Sequence, residues 1–347
     1  MTIDSPAGSW AAPAGALLSA CGVALLLLDV RWGLAGWDVV LYQVLGFLCG
    51  VWCFAIARQR RRCTRTPVSV APGLVAPVLL LLPTDAPDWG IDRPLLVEVL
   101  RFAATVVFGF LVIWRRRIGG PQATSRAFDL LLFLAAECLF AVAAIVLGSL
   151  PAWIGVGAIT AAMLRTGGYR WHHALAIPLI PFQILTWRVW SQPHVRARLS
   201  AYARVARAMR SGVSRAPVRE WLLSGDPFRR GPWYRFFDLP SRLAREVTVV
   251  RVAGVSGLAG VAALAGLFGV ITRQGCRRAR NSTRLCDRVM VAGMTVALVL
   301  PMLLQPLGCF LLVNLGGPLP FVSYGPGQLV VNWIMLAYLT PDPAVET

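Results

Sequence analysis

The sequence contains no lysine, few acidic residues and few charges of either sign. All 34 basic residues are arginine, against 16 acidic residues, and the formal net charge is +18. Only 14% of the 347 residues are charged and 57% are hydrophobic, whereas soluble domains have about 25% charged and about 45–50% apolar residues. Together with a mean hydropathy of +0.64, this composition excludes an ordinary soluble protein and predicts an all-α polytopic integral membrane protein.

Several catalytic and metal-binding motifs are also missing. The sequence has no GxSxG, HExxH or Walker loop and no paired CxxC, so hydrolase, metalloprotease and ATPase functions have no support. The 8 cysteines lie mostly in apolar runs, where cysteine behaves as a small hydrophobe, and none has metal-ligand spacing. We therefore expect neither a metal centre nor a disulfide framework. The sequence requires no cofactor and leaves only a divalent cation open.

Mostly apolar runs of about 20 residues, the length that spans a bilayer, recur along the chain. They predict about ten transmembrane helices in a single domain that covers residues 1–347. The predicted spans are 11–30, 36–57, 68–83, 95–114, 127–149, 152–165, 171–190, 247–272, 288–314 and 321–340. A large external loop, residues 191–246, separates the seventh predicted helix from the eighth.

Arginines in the short loops predict the orientation. They concentrate in RQRRRCTR (58–65), RRR (115–117), RTGGYR (165–170) and RQGCRRARNSTRLCDR (273–288). With ten helices, all four stretches fall on one side of the membrane, which the positive-inside rule identifies as the cytoplasm. Both termini are then cytoplasmic, in a multi-pass protein of the plasma membrane.

The external loop is rich in arginine as well. Within residues 195–210, apolar side chains recur at helical spacing with arginines between them, which predicts a basic amphipathic helix in the plane of the interface. Two roles stay open. Such a helix lies on the surface of an anionic membrane without further function, or its arginines bind a lipid-linked pyrophosphate. Nucleic acid is not an expected partner, because no basic stretch lies in a soluble domain.

A few ionisable residues fall inside predicted helices. Glu98 and Arg101 are three residues apart and can pair on one helix face, either as a structural pair or as part of a site. Glu137 lies in the middle of an apolar run, where we expect a protonated, hydrogen-bonded core residue.

The stretch PLPFVSYGPGQLVVN, residues 318–332, resembles the C-terminal signature of the SEDS family, the FtsW/RodA/SpoVE group. That signature typically reads LPLPFxSYGGSSLLAN. The matching positions are Pro318, Leu319, Pro320, Phe321, Ser323, Tyr324, Gly325, Leu329 and Asn332. The family's ten helices, cytoplasmic termini and large loop between helices seven and eight agree with the topology predicted from the arginines.

The resemblance extends back to Leu239–Pro240 and GLAG (257–260) and implies a catalytic carboxylate. Counted back from GLAG, the family's catalytic aspartate falls on Glu246; counted forward from Leu239–Pro240, it falls on Arg245. We prefer Glu246, because only a carboxylate can deprotonate a sugar hydroxyl. A carboxylate at a helix start also suits the helix dipole, and that structural role alone accounts for Glu246 equally well.

The resemblance also implies residues that contact the substrate. Arg188 is similar to the arginine that ends the family's seventh helix, and Arg242 and Arg245 lie just before the carboxylate position. Ser323 and Tyr324 belong to the signature itself. We expect all five to take part in substrate binding, the arginines by neutralising a pyrophosphate leaving group.

The family implies a function and partners. SEDS proteins polymerise lipid II on an undecaprenyl-pyrophosphate carrier together with a class B penicillin-binding protein, within anionic membrane lipids. The chain departs from the family by lacking the QPSE segment, by a glutamate in place of the aspartate, and by SYGPGQ in place of SYGGSS. The sequence therefore leaves three functions open: a divergent peptidoglycan glycosyltransferase, an inactive scaffold or regulator of a cell-wall synthase, and a transporter of lipid-linked sugars.

Overall fold

The computed structural model describes residues 10–31, 37–63, 93–119, 126–146, 150–190, 248–311, 319–323 and 325–340. These residues form helices joined by short turns and contain no strand, which confirms the predicted all-α class. The helices are α1 (Ala11–Arg31), α2 (Trp37–Cys63), α3 (Arg93–Gly119), α4 (Arg126–Val146), α5 (Leu150–Thr166), α6 (Trp171–Trp190), α7 (Thr248–Asn281), α8 (Leu285–Leu311) and α9 (Pro326–Leu339).

Two predicted features, the helix over 68–83 and the loop over 191–246, lie outside the described residues, so the count of ten helices stays a prediction. Among the described helices, α2 and α7 run to Cys63 and Asn281, beyond the predicted ends at 57 and 272. Arginine is a good helix former and extends both helices past the apolar run. The last helix begins at Pro326, where the sequence predicts a start at 321, because residues 319–323 form a turn.

Helices α1, α2, α3, α7 and α8 contain windows long and apolar enough to cross a membrane, and α4, α5 and α9 contain shorter apolar segments. Among the described residues, the buried Glu98 and Arg101 form an ion pair and the buried Glu137 accepts a hydrogen bond, as is usual for ionisable groups inside a membrane protein. The chain is therefore a multi-pass membrane protein.

The first and last helices meet at the face where α7 ends. The backbone amide of Ala11 donates a hydrogen bond to Gln274 Oε1 at 2.8 Å, which places the start of α1 beside the end of α7. Near the end of α9, Leu336 packs against Gly15 of α1. The start of α1 and the end of α9 therefore lie at the same face as the arginine-rich end of α7.

The ends of α3 and α5 lie at this face as well. Arg116 donates to the carbonyl oxygen of Gly167 from Nε at 3.2 Å and from Nη2 at 2.7 Å. One turn before the end of α5, Met163 contacts Gly293 near the start of α8. We call this the basic face. The arginine stretches at 115–117, 165–170 and 273–288 thus share one face, as predicted. The stretch at 58–65 lies partly outside the described residues, and that the basic face is cytoplasmic stays a prediction.

An aromatic cluster fixes α9 against α2. The indole of Trp333 meets the rings of Phe47, Phe54 and Phe321 edge-on, with centroids 5.5–5.8 Å apart. Gly50 of α2 lies against the same indole, and a Cβ at that position would stand 2.6 Å from Trp333 Cδ1. Edge-to-face aromatic packing of this kind holds the last helix in a defined position beside α2.

Candidate functional site

The turn over residues 319–323, which we call the signature turn, leads into α9 at the face opposite the basic face. The amide of Ser323 donates to the carbonyl of Leu319 at 2.9 Å, and the amide of Leu319 donates to Ser323 Oγ at 2.6 Å. Phe321 has a φ of 66°, which is rare outside glycine. The bonds between Leu319 and Ser323 hold this conformation in place.

The signature turn is bonded to the start of α7. Ser323 Oγ and Thr248 Oγ1 share a hydrogen bond of 2.9 Å, although 75 positions separate them in the sequence. Each side chain is only 3% exposed. A hydrogen bond so well shielded from water fixes the turn and the helix start relative to each other.

A second bond joins the start of α7 to α8. The amide of Val249 donates to Gln305 Oε1 at 3.1 Å, and Gln305 is 1% exposed. Amides in the first turn of a helix have no partner within the helix, so a buried helix start needs an acceptor from elsewhere. Gln305 supplies it.

The start of α9 is capped from α2. Gln43 Oε1 accepts a hydrogen bond of 3.0 Å from the amide of Gly325, and no side chain of the α9 start itself forms a cap. Pro326 then occupies the first helical position, where its missing N–H is no loss. At this end of the bundle, hydrogen bonds thus join α2 to the start of α9, the signature turn to α7, and α7 to α8.

Two carboxamides continue this polar region along α9. Gln328 and Asn332 are 1% and 0% exposed, and their spacing places them on one face of the helix. Neither carboxamide has a hydrogen-bond partner among the described residues, and the same is true of Gln43 Nε2. The interior behind the signature turn therefore offers several donors and acceptors in otherwise apolar surroundings.

The pair predicted from spacing is present in α3. Arg101 Nη1 donates to Glu98 Oε1 at 2.9 Å, and both side chains are buried. A Cβ on Gly155 of α5 would lie 3.0 Å from Arg101 Nε, so glycine leaves the room that the guanidinium occupies. This prediction is confirmed as a contact.

Glu137 of α4 is fully buried and hydrogen-bonded, as expected. Thr160 Oγ1 of α5 donates to Glu137 Oε2 at 2.6 Å. Gly157 lies opposite, and a Cβ there would stand 3.6 Å from Glu137 Oε1 and 3.0 Å from Pro178 Cβ of α6. Glu137 thus occupies the junction of three helices; its protonation stays a prediction.

Of the residues predicted to act on substrate, the structure describes the side chain of Ser323 alone. Arg188 falls within α6, while Arg242, Arg245, Glu246 and Tyr324 lie outside the described residues, so these roles stay predictions. In the sequence, Glu246 precedes Thr248 by two positions.

Gln43, Thr248 and Gln305 were not among the site residues predicted from the sequence. A signal was available, because Gln43 and Gln305 are each a single amide within a long apolar run. Polar side chains inside a membrane helix usually face the bundle interior and hydrogen-bond to a neighbouring helix. Their partners, which are far away in the sequence, leave no local pattern.

This architecture is similar to that of solved membrane-protein structures. No family model matches the sequence, and no curated protein matches it. Among solved structures, a chain from a peptidoglycan synthase complex, described for its coordination of polymerization and crosslinking, superposes with a TM-score of 0.63 at 20% identity. The rod shape determining protein RodA of Thermus thermophilus superposes with a TM-score of 0.58 at 17% identity. In both comparisons, 96% of each chain is covered.

These matches define the protein as a multi-pass helical membrane protein, and the structural similarity extends over nearly the whole chain. More particularly, the chain has a SEDS-type fold similar to that of RodA. The resemblance noted in residues 318–332 is thereby confirmed at the level of the fold.

Proposed function

We propose that the chain is a divergent SEDS-type peptidoglycan glycosyltransferase, which polymerises lipid II at the outer face of a bacterial plasma membrane during cell division or wall growth. One observation carries the proposal: the signature turn is bonded through Ser323 to Thr248, two positions after the predicted carboxylate Glu246. This connection occurs in a fold that also superposes on a chain of a peptidoglycan synthase complex.

In the proposed reaction, Glu246 removes the proton from the 4-hydroxyl of the incoming sugar. The resulting oxygen forms a bond to the anomeric carbon of the growing glycan, and the bond from that carbon to the undecaprenyl-pyrophosphate oxygen breaks. Arg188, Arg242 and Arg245 neutralise the charge that develops on the departing pyrophosphate. A class B penicillin-binding protein is the proposed partner.

A scaffold that regulates a cell-wall synthase without catalysis is the second candidate. It is favoured by the glutamate at a position where the family has aspartate, and by Pro326–Gly327 inside the signature. A glutamate carboxylate is one methylene farther from its backbone than an aspartate carboxylate, and that difference shifts a base relative to the hydroxyl. A transporter of lipid-linked sugars has no specific observation in its favour.

Glycan polymerisation separates the enzyme from the scaffold. The full chain is reconstituted in lipid nanodiscs with a class B penicillin-binding protein, incubated with lipid II, and the products are resolved on a gel. We expect polymer from the unchanged chain and at least a hundredfold slower formation, on the order expected for loss of a general base, from Glu246→Gln.

Glu220→Gln is the matched control, because it removes a second carboxylate from the same predicted loop. It should polymerise at the rate of the unchanged chain. If the unchanged chain makes no polymer with its partner present, the enzyme proposal fails and the scaffold proposal takes its place.

A further inference from the structure

The first residues of α7 form a separate helical arm. Gly257 has φ 66° and ψ −164°, a combination that essentially only glycine adopts, and it interrupts the helix. Just before it, Ser256 Oγ donates to the carbonyl of Val252 at 2.8 Å. We call residues 248–256 the arm. Because its backbone breaks at Gly257, the arm can change direction without unwinding the remainder of α7.

The arm is held at its first two residues. Thr248 shares its hydroxyl bond with Ser323 of the signature turn at 2.9 Å, and the Val249 amide donates to Gln305 of α8 at 3.1 Å. The two bonds come from two different elements. We call Thr248, Ser323 and Gln305 the latch.

Ser323 is itself fixed on the turn side. Its Oγ accepts the Leu319 amide at 2.6 Å while its own amide donates to the Leu319 carbonyl at 2.9 Å. The hydroxyl thus connects two backbone segments and is 3% exposed. A hydroxyl so engaged is poorly placed to bind substrate directly.

We propose that the latch positions the arm, which begins two residues after the predicted base Glu246, so that Ser323 acts by positioning this helix start and not by touching the substrate. This inference rests on the proposed function for the role of Glu246. It goes beyond that function by assigning the signature serine, Thr248 and Gln305 to positioning, with Gly257 as the hinge. A displacement of about 1 Å at a reacting group can slow a reaction roughly a hundredfold, so small movements of the arm matter.

Amide hydrogen exchange tests the latch without reference to activity. In nanodiscs, Ser323→Ala and Thr248→Val should each speed exchange in the peptide covering residues 248–256 by roughly three- to tenfold, the range for one lost hydrogen bond. Peptides from α8 should exchange as in the unchanged chain. The double variant should speed exchange by less than the product of the two single effects, because the two substitutions share the loss of one bond.

Two further variants in α7 separate positioning from a general loss of stability. Thr272→Val removes a hydroxyl that donates to the Phe268 carbonyl within the same helix, so exchange in the arm should not change. Thr248→Ser keeps the hydroxyl and should restore slow exchange. If Ser323→Ala leaves the arm protected, or if Thr272→Val exposes it equally, the latch is refuted.

Kinetics supply the second readout. In the polymerisation assay, Ser323→Ala and Thr248→Val should lower kcat by roughly ten- to a hundredfold with little change in KM for lipid II, and Thr248→Ser should recover most of the rate. A raised KM with unchanged kcat would instead make Ser323 a substrate ligand and overturn the proposal. If the unchanged chain makes no polymer, the proposed function fails, while the exchange experiment still decides the latch.

Discussion

At the scale of single residues, glycines make room for buried polar side chains. Gly155 stands against Arg101, and Gly157 stands against Glu137. An ion pair within the membrane interior is strongly destabilised when one partner loses its place, because the other charge is then left without compensation. The size of the residue at 155 therefore decides whether the pair with Glu98 can form.

We predict that Gly155→Val destabilises the protein by about 1–3 kcal/mol, since the added carbons displace the guanidinium of Arg101. Thermal unfolding of the purified protein in detergent measures this effect. Gly266→Val is the control, because a Cβ at Gly266 meets nothing within 4 Å. Equal unfolding temperatures for the two variants would show that Gly155 has no steric role.

The sequence predicted some of these residues and not others. Glu98 and Arg101 were predictable because helical spacing brings positions three apart onto one face. Thr248 and Ser323 were not predictable as a pair, because their contact depends on how α7 and the signature turn meet in space. Ser323 was predicted as a substrate-binding residue from the family signature, and that role stays a prediction. The structure shows its hydroxyl bonded to Thr248 and to the Leu319 amide.

At the scale of elements, two helices differ from the continuous helices that the sequence predicts. α9 begins only at Pro326, after the turn in which Phe321 adopts a positive φ, and α7 is interrupted at Gly257. The sequence predicts that the last helix starts at 321, five residues before its observed start. The break at Gly257 was not predicted, because a glycine within an apolar run is equally compatible with a straight helix.

We predict that Gly257→Ala destabilises the protein by about 1–3 kcal/mol, the usual strain of a side chain in this backbone region. Chemical or thermal unfolding in detergent gives the comparison. Gly269→Ala in the same helix is the control; a Cβ there meets nothing within 4 Å, and the change should be neutral or slightly stabilising. An unchanged or raised unfolding temperature for Gly257→Ala would contradict the hinge.

At the scale of the whole molecule, the arginine stretches at 115–117, 165–170 and 273–288 lie at the basic face. The bonds of Thr248, Gln305 and Ser323 lie at the opposite face. Composition and loop charge were enough to predict the class and this arrangement. They were not enough to predict the tertiary contacts at the site, which join residues from four separate parts of the chain.

The orientation of the basic face predicts the accessibility of Cys276, which is exposed near the end of α7. In a variant that keeps Cys276 as the sole cysteine, a membrane-impermeant maleimide should label the protein in inverted membrane vesicles and not in intact cells. Labelling in intact cells would place the basic face outside and would overturn the assignment of the termini to the cytoplasm.

Glu246 is the proposed base of glycan polymerisation. The most direct measurement compares polymerisation rates for the unchanged chain, Glu246→Asp and Glu246→Gln with the same partner and lipid II. We expect Glu246→Asp, which keeps a carboxylate, to retain at least about a tenth of the rate and Glu246→Gln to lose at least about a hundredfold. Polymer formed at the same rate by all three proteins would contradict the claim.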